Sequence, residues 1–176
     1  METFQELYLA DMSRYEKGES SYFKKFHRYF RKSQCCGSKV MKLYYRYCFS
    51  KIKEKNGIEI SYRTQIGKGL YLAHPYNITV NMDAQIGENC NLHKGVTIGQ
   101  ENRGPRKGVP KIGNSVWIGV NATVVGNITI GNDVMIAPNS FVNCDVPSHS
   151  VVFGNPCIIK TKENATECYV NRKVSS

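Results

Sequence analysis

An aliphatic residue returns at every sixth position through residues 58–153. The repeated positions are Ile60, Ile66, Leu72, Ile78, then Ile86, Leu92, Ile98, and finally Ile112, Ile118, Val124, Ile130, Ile136 and Val142. A period of six fits neither an α-helix nor simple strand alternation, so it indicates a stacked repeat that buries its apolar face only against neighbouring repeats. The pattern therefore predicts short parallel strands around one core, in a mainly β fold.

A second set of mostly small or β-branched residues precedes these aliphatic residues by two positions, and we expect it to be buried as well. The set contains Thr64, Leu70, Ala84, Cys90, Val96, Val116, Ala122, Ile128, Val134, Ser140 and Val146. Two interruptions break the register: two extra residues between Ile78 and Ile86, and a polar, glycine-rich stretch at residues 100–108. Insertions in a stacked repeat emerge as loops from one side, commonly the binding side.

The organisation predicted for the chain has three parts. Residues 1–57 form a basic, aromatic helical segment with breaks near Gly18 and Gly37, residues 58–159 form the repeat domain, and residues 160–176 form a polar tail. Residues 22–55 contain eleven Lys and Arg and a single acid, Glu54, so this segment carries a surplus equal to the net charge of +10 of the whole chain.

Three interpretations of the basic segment remain open. In the first, aromatic residues at helical spacing, such as Phe26 and Phe30, pack on the repeat domain or on a sister subunit, and the charges are solvated. In the second, the segment attaches to an anionic membrane surface, as basic amphipathic helices do. Nucleic acid binding ranks last and is not expected, because no known binding module is present.

Composition argues against several other classes. The first six residues lack the basic then apolar order of a secretory signal, and no stretch has the length and apolarity of a membrane span, so we expect a cytoplasmic protein, with or without peripheral attachment at the inner face of the membrane. The seven cysteines are scattered without the spacing of zinc ligands.

Several blocks between residues 57 and 157 resemble the hexapeptide-repeat acyltransferases, and the serine acetyltransferase family in particular. They are Gly57-Ile58-Glu59-Ile60, Ile66-Gly67-Lys68-Gly69-Leu70-Tyr71-Leu72-Ala73-His74-Pro75, Ile86-Gly87-Glu88-Asn89, Gly95-Val96-Thr97-Ile98-Gly99, Pro110-Lys111-Ile112-Gly113, Gly126-Asn127-Ile128, Val146-Pro147 and Gly154-Asn155-Pro156-Cys157. The resemblance implies a left-handed parallel β-helix with three hexads in each coil. It also implies acetyl-CoA as co-substrate without a metal, and a homotrimer with active sites between subunits.

The resemblance assigns catalytic roles to two residues. His74 matches the family's general base, and Glu59, fifteen residues earlier, matches the carboxylate that orients it, with glutamate in place of the usual aspartate. The chemistry requires such a pair, because an alcohol must lose its proton as it attacks the thioester. A neutral imidazole, with an ordinary pKa of about 6.5, can accept that proton. A lone turn histidine is the alternative for His74.

The predicted CoA site is less specific. Gly99, Gly119, Val120 and Ala137 match the edge along which the family binds the pantetheine arm through backbone groups. Lys111, with Arg103, Arg106 and Lys107 of the neighbouring loop, is expected to meet the phosphates of CoA, although a solvated loop is the alternative for each of them.

The predicted acceptor pocket departs from the family. Serine acetyltransferases carry an aspartate before the catalytic histidine and an arginine and a histidine before Pro-Lys-Ile, where this chain has Ala73, Gly108 and Val109. Groups that would bind the charges of a free amino acid are missing, which favours an uncharged acceptor such as a sugar hydroxyl. His93 is expected to be a surface residue or to line the same cleft.

The first hypothesis is therefore an acetyl-CoA-dependent O-acetyltransferase acting on a sugar in surface polysaccharide or glycolipid synthesis, and the alternative is a true serine O-acetyltransferase of cysteine biosynthesis. No complex with cysteine synthase is expected, because the terminal isoleucine used for docking is absent. Two other classes stay open: a metal-dependent carbonic anhydrase using His74, His93 and His149, and a non-catalytic scaffold.

Overall fold

The computed structural model describes residues 2–16 and 21–175, which form three helices followed by a β-helix. The helices are α1 (Phe4–Ser13), α2 (Ser21–Cys35) and α3 (Lys39–Glu54). The predicted break near Gly37 separates α2 from α3, and the one predicted near Gly18 lies outside the described residues. Thr3 and Glu6 form a reciprocal capping box at the start of α1, and the Ser38 side chain accepts a hydrogen bond from the Met41 amide at the start of α3.

Fifteen short strands follow in the part of the chain that is described. In chain order they are β1 (Glu59–Ile60), β2 (Gln65–Ile66), β3 (Tyr71–Ala73), β4 (Thr79–Val80), β5 (Gln85–Ile86), β6 (Asn91–His93), β7 (Thr97–Gly99), β8 (Lys111–Ile112), β9 (Trp117–Ile118), β10 (Thr123–Val125), β11 (Thr129–Ile130), β12 (Val134–Ile136), β13 (Phe141–Val142), β14 (Ser150–Phe153) and β15 (Ile158–Thr161). Every third strand stacks in parallel on the same face of about five coils. The predicted fold class, a left-handed parallel β-helix of hexapeptide repeats preceded by helices, is confirmed.

The three faces are named here by their strands. Sheet A runs in the order β1-β4-β7-β10-β13, sheet B in the order β11-β8-β5-β2, and sheet C in the order β15-β14-β12-β9-β6-β3. Corner CA denotes the turns that lead from sheet C to sheet A, and corners AB and BC are named in the same way. Every residue of the two predicted inward sets is buried, so the sequence period identified the core correctly.

The position of the first register break differs from the prediction. Ile60 pairs with Val80, so Val80 is the inward strand residue of the second coil. Ile78 is also buried, but it occupies the turn position equivalent to Ile58. The two extra residues therefore lie in corner CA between Leu72 and Val80, around His74, and not between Ile78 and Ile86. The second predicted break, the loop at residues 100–108, lies in corner AB between β7 and β8.

The helices close the first coil of the β-helix. Phe26, Phe30 and Phe49 are buried in one cluster with the solenoid core, as the packing interpretation of the basic segment predicts. The solvated-charge part of that interpretation is wrong for Arg31, which is 1% exposed. Its guanidinium donates hydrogen bonds to the carbonyl oxygens of Ile66 and Gly67, which have no preceding coil to pair with.

The other end is closed by the chain itself. Strand β15 folds back antiparallel on β14, and the residues after it run along sheet C. Ala165, Thr166 and Val170 are buried, and the Tyr169 ring packs on Trp117 with 5.1 Å between ring centroids. The boundaries predicted for the three parts remain predictions, although the segment after residue 160 packs on the β-helix along much of its length.

Candidate active site

Most of the predicted site residues lie in one column along corner CA. Ala73 pairs with His93 of the next coil. Leu92 pairs with Ile118, and Ile118 pairs with Ile136. Gly119 and Ala137 therefore occupy the position equivalent to His93 in the two coils that follow. His74 and Val120 follow one residue later. Neighbouring coils lie roughly 4.8 Å apart, so His74 and Val120 are separated by about 10 Å along the helix axis.

The turn that carries His74 is longer than its counterparts. It contains two residues, His74 and Asn77, in the left-handed region, with φ of 48° and 53°. In the next two coils the equivalent turns contain one each, Gly95 and Asn121. The His74 side chain is exposed, and no described residue forms a hydrogen bond or an ion pair with its ring. The insertion thus projects His74 from an otherwise regular corner.

Glu59 lies beside the same corner. It is the first residue of β1, its side chain is exposed, and its amide donates to the carbonyl of Ile78. The Asn56 side chain, three residues earlier, donates to the carbonyl of Pro75, which joins the two segments. Among the described residues no hydrogen bond or ion pair joins Glu59 to His74, so the predicted dyad stays a prediction. Hydrogen bonds of catalytic groups are often loose before the substrate binds.

His93 is more enclosed than a surface residue. Its ring lies against Trp117 with 4.6 Å between centroids, and its Nε2 is buried without a hydrogen-bond partner in the described part of the chain. Burial, together with the charge of nearby His74, lowers the pKa of His93 to about 4. The imidazole is therefore neutral near pH 7 and presents a free nitrogen beside the candidate base.

Trp117 was not among the site residues predicted from the sequence. This outward residue of β9 is 9% exposed because His93 covers one side of its ring and Tyr169 of the tail covers the other. The only tryptophan of the chain, placed at an outward strand position next to the candidate column, was the signal available in the sequence.

A second group of predicted residues lies at corner AB. Gly99 ends β7, Lys111 begins β8, and Gly108 and Val109 belong to the loop between these strands. The loop folds as a small hairpin in which Glu101 and Gly108 exchange backbone hydrogen bonds. Its residues 101–107 are exposed, and no described acid forms an ion pair with Arg103, Arg106 or Lys107. These cations are therefore available to an anionic ligand.

Gly108 also has a conformational reason to be glycine. Its φ is 137°, and a Cβ at this position would lie 2.9 Å from the Cβ of Asn127. The arginine that the resemblance places here would therefore not fit this loop conformation.

The two groups do not meet within one chain. Sheet A lies between the two corners. Crossing this face takes about five extended residues, so the corners are roughly 16 Å apart. Between the two corners sheet A presents Glu59 and three half-buried threonines in register, Thr79, Thr97 and Thr123. One chain thus holds the candidate base at one corner and the candidate phosphate-binding loop at the other.

His149 lies apart from both groups, at corner BC. Its Nδ1 is 2.9 Å from a carboxylate oxygen of Asp133, which also accepts hydrogen bonds from Thr166 and Ala165. The burial of Asp133 would raise its pKa, but these hydrogen bonds outweigh it and lower the pKa. Within one chain, sheet C therefore separates His149 at corner BC from His74 at corner CA.

Residues 2–16 and 21–175 contain no group of three or more His, Cys, Asp and Glu side chains arranged to hold a metal ion. No helix in these ranges combines the length and apolarity needed to cross a bilayer.

Several known proteins are similar to this chain. Residues 110–144 match the bacterial transferase hexapeptide (six repeats) family. Serine acetyltransferase 2 from Arabidopsis thaliana is 41% identical over 107 residues, which are 61% of this chain and 33% of the relative. The serine acetyltransferase of Helicobacter pylori is 35% identical over 107 residues, 61% of this chain and 63% of the relative. The chain therefore spans less than two thirds of either curated relative.

Solved structures agree over more of the chain. The serine acetyltransferase of Brucella abortus superimposes with a TM-score of 0.75 at 25% identity, covering 93% of this chain and 71% of that one. The fold is that of the serine acetyltransferases. The Brucella structure in complex with coenzyme A gives 0.73 at 24% identity over 91% and 68% of the two chains. Neisseria gonorrhoeae serine acetyltransferase in complex with serine gives 0.67 at 27% identity over 90% and 69%. The resemblance noted in the sequence is confirmed.

Proposed function

We propose that this protein is an acetyl-CoA-dependent O-acetyltransferase that transfers acetyl to an acceptor hydroxyl. The observation that carries the proposal is the column at corner CA, where His74 and His93 are followed in the next two coils by Gly119, Val120 and Ala137. The small side chains of Gly119 and Ala137 leave the backbone edge open beside these histidines, which suits an extended thioester. The solved complex of a serine acetyltransferase with coenzyme A supports the same ligand for this chain.

In the proposed reaction, His74 accepts the proton of the acceptor hydroxyl as its oxygen attacks the acetyl carbonyl. The carbon–sulfur bond of the thioester then breaks, and the imidazolium returns the proton to the departing CoA thiolate. Glu59 would fix the imidazole tautomer and stabilise the imidazolium. Arg103, Arg106 and Lys111 would bind phosphates of CoA. No step requires a metal.

Serine is the acceptor that the comparisons favour, since the relatives and neighbours described above are named serine acetyltransferases. This reverses the order of the hypotheses drawn from the sequence. A sugar hydroxyl remains the second candidate because Ala73, Gly108 and Val109 offer no charge to a zwitterion. Leaving its polar groups unpaired costs about 1–3 kcal/mol for each hydrogen-bonding group.

We further propose a homotrimer with its active sites between subunits. The support is the separation of the two candidate groups by sheet A, because a complete site then needs corner CA of one subunit and the loop of its neighbour. A cyclic assembly repeats such a contact three times and closes it. The predicted cytoplasmic location and the absence of a cysteine synthase complex remain predictions, as does contact of residues 22–55 with a membrane surface.

The direct test is a thiol-release assay with acetyl-CoA and a panel of acceptors. Serine, homoserine, simple sugars and nucleotide sugars are compared at equal concentration. Turnover of serine above the sugars supports the first candidate, and the reverse order supports the second. Absence of CoA release with every acceptor in the panel, or failure to bind acetyl-CoA, contradicts both candidates and favours the scaffold hypothesis.

A further inference from the structure

Helix α3 exposes an apolar stripe to solvent. Val40, Leu43, Tyr44 and Tyr47 recur at helical spacing, and their exposed fractions are 76%, 64%, 53% and 63%. We call these four residues the α3 stripe. The outer face of a surface helix is ordinarily polar, so four large apolar or aromatic side chains within two turns form an unusual surface.

The stripe is not the side by which α3 packs on the protein. Phe49 is buried against Phe26 and Phe30, and Tyr45 packs against Tyr29 with 6.3 Å between ring centroids. The fold uses this opposite side for its core cluster. Helix α3 is therefore apolar on two sides, of which the chain itself covers one.

Charge identifies the partner that fits the open side. Exposed Lys39 lies near one end of the stripe. Lys51 lies near the other end, where its ammonium is 5.9 Å from the centre of the Tyr47 ring and 3.1 Å from the Glu54 carboxylate. The surrounding segment, residues 22–55, holds eleven cations and one acid, and of these cations Arg31 is buried against Asp11. The surplus of positive charge therefore persists without Arg31. Two copies meeting through this surface would bring their positive charges together, whereas an anionic surface would neutralise them.

We propose that the α3 stripe docks on an anionic lipid bilayer, with the helix lying in the plane of the interface. The apolar side chains would enter the boundary of the acyl chains, and the flanking lysines would remain among the headgroups. The membrane hypothesis drawn from the sequence covered residues 22–55 as a whole. The present assignment narrows it to α3, because Phe26 and Phe30 of α2 are buried in the protein.

The position of α3 relative to the candidate base gives the docking a consequence. The helix ends at Glu54, and Asn56, two residues later, bonds to the turn that carries His74 through the Pro75 carbonyl and the Asn77 amide. Docking would hold corner CA near the bilayer. That consequence depends on the proposed function, whereas the docking itself does not.

The test is co-sedimentation of the full chain with vesicles of phosphatidylcholine alone and with about 30 mol% phosphatidylglycerol, in about 0.05 M and 0.5 M salt. We expect binding to the anionic vesicles that weakens as salt rises. The triple variant Leu43→Gln/Tyr44→Gln/Tyr47→Gln should lose at least about tenfold in vesicle partitioning with its melting temperature unchanged, because these side chains are exposed. The matched control is Leu9→Gln, which changes an apolar residue of α1 that is 58% exposed. This variant should bind vesicles like the wild type.

Three outcomes overturn the proposal. In the first, the wild type does not sediment with anionic vesicles at low salt. In the second, the triple variant binds the vesicles as tightly as the wild type, which would leave only the cations as the attractive groups. In the third, sedimentation velocity shows that the triple variant forms a smaller assembly than the wild type, which would make the stripe an interface between protein chains. The acetyl-transfer assay with a water-soluble acceptor is run in parallel without vesicles. A wild type that transfers acetyl but does not bind anionic vesicles contradicts only the docking. A wild type that binds the vesicles but does not transfer acetyl contradicts only the proposed function.

Discussion

Asp11 receives two hydrogen bonds from the guanidinium of Arg31, at 2.8 Å from Nε and 3.0 Å from Nη2, and both side chains are buried. Arg31 also bonds the carbonyls of Ile66 and Gly67, while Asp11 accepts the amide of Leu70. Arg31 thus supplies the donors that a preceding coil would have offered to these two carbonyls. Burial alone would raise the pKa of Asp11, but Arg31 and His27 outweigh it and lower the pKa.

Replacing Arg31 by methionine should be strongly destabilising. The variant leaves the Asp11 carboxylate buried without its cation, and breaking such a pair typically costs 3–5 kcal/mol, on the order of a third or more of the stability of a domain. Chemical denaturation followed by circular dichroism measures the loss. Arg28→Met on the exposed side of the same helix is the matched control and should change stability by less than about 0.5 kcal/mol. Equal effects of the two substitutions would show that the buried pair contributes nothing special.

The aromatic cluster of the helices should contribute as a core does. Phe26 is fully buried, so Phe26→Ala removes its contacts and leaves a cavity, at a cost of roughly 3–5 kcal/mol in the free energy of unfolding. Leu43→Ala in the exposed stripe should change it little. Thermal and chemical unfolding of both variants compare them directly, and a cost below about 1 kcal/mol for Phe26→Ala would contradict the packing of α2 on the β-helix.

The candidate base predicts a specific loss of turnover. His74→Ala should lower kcat by about 10²- to 10⁴-fold, because general-base catalysis contributes this much, with melting temperature and acetyl-CoA binding unchanged. Glu59→Gln should reduce kcat less, since the imidazole remains and only its orientation and charge partner are weakened. Unchanged turnover in the alanine variant removes His74 from the mechanism. Full activity in Glu59→Gln removes only the dyad.

The lowered pKa of His93 predicts a pH dependence of stability. The folded state holds this imidazole neutral down to about pH 4, whereas the unfolded chain binds a proton below the ordinary value of 6.5. Its contribution to the free energy of unfolding is therefore fully present above 6.5 and is lost as the pH falls from 6.5 towards 4. His93→Gln removes this dependence. The stability difference between wild type and variant, measured by denaturation from about pH 7.5 to 4.5, should change across this window, and parallel curves would show that the pKa is not lowered.

The core was predictable from the sequence because every coil repeats the same burial requirement six residues apart. The misplaced register break has a physical cause: Ile78 and Val80 are both buried, so hydrophobicity alone does not decide which of them belongs to the strand. Only the pairing of Ile60 with Val80 does so. The two extra residues therefore lie in the turn that carries His74, which supports a specialised role for that turn.

The polar closure of the first coil was not predictable. Asp11, His27 and Arg31 belong to two helices, and Asp11 and Arg31 bond to backbone groups of the first coil more than thirty residues away. No local pattern therefore distinguishes Arg31 from the exposed Arg28. The candidate site was predictable only in part for a similar reason. The resemblance to the serine acetyltransferases indicated His74 and the small residues of its column. The enclosure of His93, in contrast, depends on Tyr169, which comes from the far end of the chain and packs on Trp117.

Closing the first coil with side chains has a consequence for how the molecule can evolve. A coil inside the β-helix exchanges backbone hydrogen bonds only with its two neighbours, so duplicating or deleting a whole turn in the middle would leave both ends intact. The two ends have no such freedom. The carbonyls of the first coil are bonded to Arg31, and the antiparallel strand β15 occupies the last edge of sheet C. The two terminators thus determine where this β-helix begins and ends in the chain, but they leave the number of coils between them free to change.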